Sequence, residues 1–423
     1  MEELDTTGNV RELDAALPLS GAQTRMRGLL FRQLAQIENA RLTISDAIGT
    51  QTFGDEHSDL ETSVQILDPS AYTDLICGGP VGGSEAYMEG KWVTSDLTAV
   101  IRLMVRNRKV MLNLDGGFTN FLKPARRLAH WANRNTVGNS EKNIYAHYDL
   151  GEEMFRTFLD PTMTYSATIY EDEDSTLEES ALHKLDLICR KLQLDESDHV
   201  VEIGTGWGGF ALYAAKNYGC RVTTTTISPN QFAVATQRVK EAGLEDKVTV
   251  LQKDYRLLEG KFDKLVSVEM IEAVGLQYLD TFFKKCSSLL KPDGRMLIQA
   301  ITIADRNHER AAKTVDFIQK YIFPGGALPS VGAIMNSITA ATDLQITGLH
   351  DIGLHYARTL RDWRAEFFKN LPAIRQMGYP DEFIRMWDYY LCYCEGGFLE
   401  RSISTMQLVF DKPDCRMDYV DIR

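Results

Sequence analysis

Val201-Glu202-Ile203-Gly204-Thr205-Gly206-Trp207-Gly208-Gly209 is the stretch whose reading decides the fold. With His199 and Val200 before it and FALYAAKNYG (210–219) after it, it is a short β-branched strand, a glycine turn and a helix. Such a turn lets a ligand approach the backbone closely. A dinucleotide fingerprint would space its glycines G-x-G-x-x-G, whereas these read G-x-G-x-G-G. Working outward, RVTTTTI (221–227), VTVLQ (248–252), FDKLVSV (262–268) and RMLIQAITI (295–303) supply further strands, with helical stretches such as QYLDTFFKKCSSLL (277–290) between them. Ser228-Pro229-Asn230-Gln231 opens one of these helices, with Ser as N-cap, Pro at the first helical position and Gln three residues after the cap. Strand–helix alternation of this regularity predicts an α/β fold, a doubly wound and mainly parallel Rossmann-like sheet with helices on both faces.

The 423 residues are too many for one ordinary domain and comfortable for two. Residues 1–24 form an acidic tail, expected to be loose. Residues 25–113 alternate helix-like pieces (GLLFRQLAQI and VTSDLTAVIRLMV) with a strand pair (RLTISDAIGTQTF), which predicts a smaller α+β accessory domain without a catalytic constellation. Residues 143–423 form the patterned α/β domain. Between the two, residues 114–142 are a basic linker, part of a longer run from 100 to 145 that carries nine Lys/Arg against Asp115 and Glu141. Phe118, Phe121, Leu122, Leu128 and Trp131 are interleaved with those charges. The run can be a solvated linker, or a membrane-surface segment with cations at anionic headgroups and aromatics at the interface.

The net charge of −13 argues against a general nucleic-acid binder, which needs basic surface. No apolar run approaches the length that crosses a bilayer. The N-terminus is acidic and lacks a basic n-region, so a cytoplasmic protein is expected. Seven scattered cysteines without a C-x-x-C pair signal neither a disulfide framework nor a zinc site.

The E-x-G-x-G-x-G arrangement from Glu202 resembles motif I of the class I S-adenosylmethionine methyltransferases. His147-Tyr148-Asp149-Leu150-Gly151, Leu159-Asp160-Pro161-Thr162-Met163-Thr164-Tyr165-Ser166, EIGTGWGG, TISPNQ, KDYR, EMIEAVG, KYIFPGGALPS and YYLCYCEGGF then follow in order. Together they resemble the cyclopropane-fatty-acyl-phospholipid synthase family over about residues 143–410. The resemblance implies S-adenosylmethionine as cofactor, held by Tyr165, Ser166, Val200, Glu202, Gly204, Thr205, Gly206, Trp207, Gly208, Thr226, Ile227, Ser228, Gln231, Asp254 and Tyr255. No metal is implied. It also implies chemistry on an acyl double bond, which must be held in line with the sulfonium methyl and away from water. Methyl transfer leaves a carbocation, for which Tyr148, Tyr165 and Tyr356 offer aromatic faces. A base then removes a proton.

In that family the base is a bicarbonate ion cradled by a Cys, a Glu, a His, a backbone group near an Ile, and a Tyr. Glu272, Ile301 and Tyr356 match three of these positions. Ala167 stands where the Cys is expected and Gln299 where the His is expected, so bicarbonate carries over incompletely. Cys394 matches a family cysteine whose role is positional, since alkylation of an alkene by a sulfonium needs no covalent enzyme intermediate. Glu395 stands beside it where the cyclopropane synthases have a small residue, and is a candidate to replace bicarbonate as base. The catalytic candidates are thus Glu272, Gln299, Tyr356, Cys394 and Glu395.

Proton loss from the transferred methyl closes a cyclopropane; loss from a chain carbon leaves a methylated alkene, as in relatives of tuberculostearic and furan fatty acid biosynthesis. Both products stand, beside a small-molecule methyltransferase and a non-catalytic lipid-binding protein that kept the fold. The expected partners are a phospholipid membrane with unsaturated acyl chains, touched peripherally at its inner face, a second copy of the chain, and a reductase or desaturase; no nucleic acid is expected.

Overall fold

The computed structural model describes residues 17–110 and 151–418. Most of the acidic tail, the basic linker 114–142 and the His147–Leu150 motif, including Tyr148, lie outside the described residues. The chain divides into two compact units that are discontinuous in sequence. One gathers the described part of Met1–Ala129 with Thr314–Tyr321 and Trp363–Ser402; the other gathers the described part of His130–Lys313 with Ile322–Asp362 and Ile403–Arg423. This differs from a linear cut near residue 143. A long C-terminal helix finds its packing partners among the N-terminal helices, which no local pattern announces.

In the first unit a four-stranded sheet has the order β2-β1-β3-β4, with β1 Arg41–Asp46, β2 Gly49–Gly54, β3 Glu61–Ile66 and β4 Trp92–Val93. β1 and β2 form the expected hairpin, and Asp46 Oδ1 accepts the turn N–H groups of Ile48 and Gly49 at 2.9 and 3.2 Å. The helix Leu97–Arg106 is capped by Asp96, whose side chain accepts from Ala99 N. The helix Asp381–Leu399 packs on it so closely that a Cβ on Gly396 would lie 2.8 Å from Ile101 Cγ2. Arg102 and Arg106 both donate to Glu400, at 2.7 and 3.0 Å, and Arg106 also pairs with Asp59.

The second unit holds a seven-stranded sheet in the order β10-β11-β9-β8-β5-β6-β7. The strands are β5 His199–Ile203, β6 Arg221–Thr226, β7 Val248–Gln252, β8 Phe262–Val268, β9 Leu290–Ile303, β10 Gln345–Asp351 and β11 Ile403–Asp411. β7, β6, β5, β8 and β9 run parallel, and β11 lies antiparallel between β9 and β10. Alternate residues feed two cores: Val200, Val222, Val266, Leu297 and Val409 on one face, and Val201, Leu265, Ile298 and Leu408 on the other. Burial on both faces produces the near-continuous apolar runs seen in the sequence. The chain leaves β5 toward β6 and β7, then returns to β8 and β9 on the other side. That reversal makes a switch point at the carboxyl ends of β5 and β8, where ligands bind in sheets of this kind. No helix among the described residues is long and apolar enough to cross a membrane.

Candidate active site

At the end of β5 the backbone takes positive φ at Gly204 (101°), Gly206 (51°) and Gly208 (87°). A side chain at Gly204 would meet Met270 at 3.1 Å, whereas one at Gly206 would meet nothing within 4 Å, so the turn is open at its tip. A Cβ on Gly209 would lie 2.8 Å from both Thr162 O and Thr164 Oγ1, so the segment leading to Tyr165 and Ser166 lies directly on the turn. Arg238 fastens the two, donating to Trp207 O at 2.6 Å, Thr162 O at 3.1 Å and Pro161 O at 3.1 Å. Trp207 is buried, and Phe155 packs against both it and Tyr165.

Behind the turn, Glu202 is buried and accepts from Thr224, which shares a 2.7 Å hydrogen bond with Thr205 Oγ1. Burial pushes the Glu202 pKa to about 8, and its Oε2 has no partner among the described residues. An unpartnered carboxylate oxygen beneath an open glycine turn fits a cationic amino-acid moiety such as that of S-adenosylmethionine. At the end of β6, Ser228 caps the next helix as expected and accepts from Gln231 N. The Gln231 side chain does not close a capping box; its Oε1 accepts from Thr226 Oγ1 at 2.8 Å, and Thr226 Oγ1 accepts from Ser228 N. Ile227 lies half-buried between them. Asp254 caps the short helical turn Tyr255–Leu257, and both of its oxygens face Arg256, at 2.9 and 2.5 Å. Burial opposes its ionisation, yet the Arg256 hydrogen bonds hold its carboxyl below the usual range. Val200 is a core residue on the helix-covered face of the sheet.

The second constellation stands at the ends of β8 and β9. Glu269, which the sequence reading did not single out, follows β8 in a left-handed backbone conformation (φ 48°). Its Oε1 accepts from Ala167 N at 2.9 Å and from Gln299 Nε2 at 2.8 Å, and Tyr356 donates to the same carboxylate. Three residues on, Glu272 Oε1 accepts from Ile301 N, while its Oε2 is buried with no partner among the described residues. Burial raises the pKa of both acids. Glu272 is pushed to about 8, first by burial and then by the Glu269 charge. Lys184, wholly buried, donates to Ser166 Oγ at 3.0 Å; burial lowers its pKa to about 8 against the pull of Glu269, Asp160 and Glu202. The signal for Glu269 was two glutamates three residues apart directly after a strand, since paired carboxylates with separated environments divide acid and base roles.

Cys394 and Glu395 belong to the other compact unit. There Glu395 Oε2 accepts from Thr98 Oγ1 at 2.8 Å, and burial together with Asp316 pushes the Cys394 thiol up, away from nucleophilic use. Gln299, Glu272, Tyr356 and Ala167 are brought together with Glu269. The groups at the positions of the expected cradle are already given to the two acids: Ala167 N, Gln299 Nε2 and Tyr356 to Glu269, and Ile301 N to Glu272. The residues present therefore do not fit a bicarbonate cradle.

Residues 136–408 match the family model for mycolic acid cyclopropane synthetase. The chain belongs to the mycolic acid cyclopropane synthetase family. It is 34% identical over 398 residues to the tuberculostearic acid methyltransferase UfaA1 of Mycobacterium tuberculosis, covering 92% of each chain. It is 36% identical over 352 residues to the cyclopropane-fatty-acyl-phospholipid synthase of Escherichia coli strain K12, covering 82% of this chain and 87% of that one. Among solved structures, mycolic acid cyclopropane synthase CmaA1 complexed with SAH and CTAB superposes with a TM-score of 0.58 at 32% identity, over 64% of this chain and 98% of that one. The expected family and fold are thereby shown, and the sheet order places the family's glycine turn at the switch point described above.

Proposed function

We propose that this chain transfers a methyl group from S-adenosylmethionine to a double bond of an unsaturated fatty acyl chain carried on phospholipid. The observation that carries the reading is the buried Glu269–Glu272 pair, with one oxygen open, in the same unit as the glycine turn. S-adenosylmethionine supplies an electrophilic methyl on a sulfonium. The glycine turn, Glu202 and the Thr226–Gln231 segment hold it, and the Tyr165 segment packed on the turn excludes water. The π pair of the alkene forms the new C–C bond as the S–C bond breaks, leaving S-adenosylhomocysteine and a carbocation on the acyl chain. Glu272 Oε2 then accepts a proton while the C–H pair either closes a cyclopropane ring or forms a new double bond. A protein carboxylate takes the place of bicarbonate, in keeping with Ala167 and Gln299. Glu272, with its open oxygen, is better supported as this base than Glu395, whose carboxylate already accepts from Thr98.

The likeness to the tuberculostearic acid methyltransferase across 92% of both chains favours proton loss from a chain carbon, giving a methylated alkene. Such a product needs a reductase to become a saturated methyl branch. Incubating the protein with methyl-labelled S-adenosylmethionine and vesicles of monounsaturated phospholipid tests both points. Label is expected in the acyl chain, and mass spectrometry with olefin-selective derivatisation distinguishes an alkene from a ring. Label only in soluble acceptors would assign a small-molecule methyltransferase, and no transfer would leave a lipid-binding protein.

A further inference from the structure

Behind Glu269 a line of buried polar side chains crosses the sheet. Gln299 on β9 and Gln407 on β11 are directly opposed in the antiparallel register, and Gln407 Nε2 donates to Gln299 Oε1 at 2.9 Å. Gln407 Oε1 in turn accepts from Lys191 Nζ at 2.5 Å, and Lys191 also meets His350 Nδ1 at 2.9 Å. Lys191, Gln407 and Gln299 are at most 1% exposed. Within the described structure no carboxylate pairs with Lys191, so the sheet interior holds a buried amine whose hydrogen bonds go to an amide and an imidazole.

The polarity of this line is dictated from both ends. A lysine presents donors and a carboxylate presents acceptors, whereas an amide has one of each and can turn. Lys191 therefore draws the oxygen of Gln407 toward itself, which turns the Gln407 nitrogen to Gln299. Gln299 must then offer its oxygen to Gln407 and its nitrogen to Glu269. Gln299 Nε2 also reaches Ala167 O at 3.3 Å, a second acceptor on the same side. We propose that Lys191 is a positioning residue: through Gln407 and Gln299 it fixes the hydrogen bond that keeps Glu269 ionised, so that the proton released in the reaction goes to Glu272.

Burial works against an ionised Glu269, and the hydrogen bonds from Gln299, Ala167 and Tyr356 together with the Lys184 charge work for it. Glu269 is faced by Tyr356, Lys184, Glu272 and the amide of Gln299; Lys191 is faced by His350, Gln407 and the neighbouring Arg190, while Arg295 donates to its carbonyl. An ionised Glu269 raises the proton affinity of Glu272 and makes it the stronger base. Burial, with Arg190 adding to it, lowers the Lys191 pKa to about 7, and in either protonation state the amine keeps N–H donors for Gln407 and His350.

This inference rests on the methyl-transfer reading above, and its test compares two substitutions at Gln407. Gln407→Glu preserves size and gives Lys191 an ion-pair partner, so packing is kept. It leaves no donor for Gln299 Oε1. Gln299 turns its amide, sets its oxygen against Glu269, and Glu269 takes up a proton. Methyl transfer is then expected to fall by at least about fiftyfold, with the acidic limb of kcat/KM against pH moved below its wild-type position. Gln407→Met cuts the line to Lys191 and leaves Gln299 held only by its two acceptors, so transfer should fall by about fivefold to tenfold, with the limb moved in the same direction as in Gln407→Glu but by less. A purely structural role predicts the reverse ranking. S-adenosylmethionine binding and the thermal midpoint report folding, and Lys191→Met, which frees Gln407 to turn, should move the limb in the same direction as Gln407→Glu. Gln407→Glu within about fivefold of wild type, a loss with the limb unmoved, or an equal loss in Gln407→Met overturns the proposal. A wild-type protein that transfers no methyl group overturns the functional reading instead.

Discussion

A carboxylate that takes a proton from a hydrocarbon cation needs an oxygen no other donor occupies and an environment that favours its protonated form. Glu272 has both: Oε2 is buried without a partner among the described residues, and burial beside Glu269 pushes its pKa to about 8. Only its ionised form can accept, and a raised pKa means the ionised fraction is lost as pH falls through about 8. Methyl transfer should therefore rise about tenfold per pH unit up to that region and level off above it, read from kcat/KM across the range. Glu272→Gln should lower kcat by about a hundredfold or more while S-adenosylmethionine still binds, since Glu272 is no part of the glycine turn. A variant with full activity, or an unchanged acidic limb, would move the base elsewhere, with Glu395 the first alternative to substitute. From the sequence, Ala167 and Gln299 read as two losses from a bicarbonate cradle. In the structure the Gln299 side chain and the Ala167 backbone N–H both donate to Glu269, a residue that stands out only once the strand ends are assembled. Hydrogen bonds between residues 102 and 30 positions apart leave no local pattern to read.

Single elements were far more legible than their partnerships. The five parallel strands stand where their apolar runs lie, because both faces of that sheet are covered. The Ser228 cap and the β1–β2 hairpin follow from local chemistry that operates within a few residues. The destination of the helix Asp381–Leu399 does not. Its Gly396-Gly397 pair invites a reading as part of a catalytic motif, whereas Gly396 removes the side chain that would strike Ile101 on Leu97–Arg106. The same close approach brings Thr98 to Glu395 and Arg102 to Glu400. Gly396→Val inserts three carbons where the first would already sit 2.8 Å from Ile101 Cγ2. The expected cost is about 1–3 kcal/mol, only slightly offset by the better helix propensity of valine, and thermal or urea denaturation would measure it. An unchanged midpoint would show that the two helices part without cost and that the glycine serves another purpose.

For the whole molecule the question is how a chain of net charge −13 would reach the phospholipid substrate proposed for it. The sum conceals a division: residues 100–145 contribute +7, so the remainder carries −20. Not all of that +7 can meet headgroups. Arg102 and Arg106 are spent within the first unit on Glu400 and Asp59, which leaves seven basic residues of the nine against Asp115 and Glu141. An attraction of about 1 kcal/mol for each basic residue at an anionic surface still gives a usable sum, provided the segment presents its charges together. Such an attraction decays over a Debye length of about 10 Å at 0.1 M salt and about 3 Å at 1 M. Sedimentation with vesicles containing anionic lipid should therefore show association at low ionic strength that falls steeply as salt is raised. Replacing Lys123, Arg126 and Arg127 together by Gln should weaken it without altering methyl transfer to detergent-dispersed lipid, because those three residues are remote in sequence from every group assigned to the chemistry. Association that ignores salt, or survives the triple substitution, would mean that apolar surface rather than this segment holds the protein to its substrate.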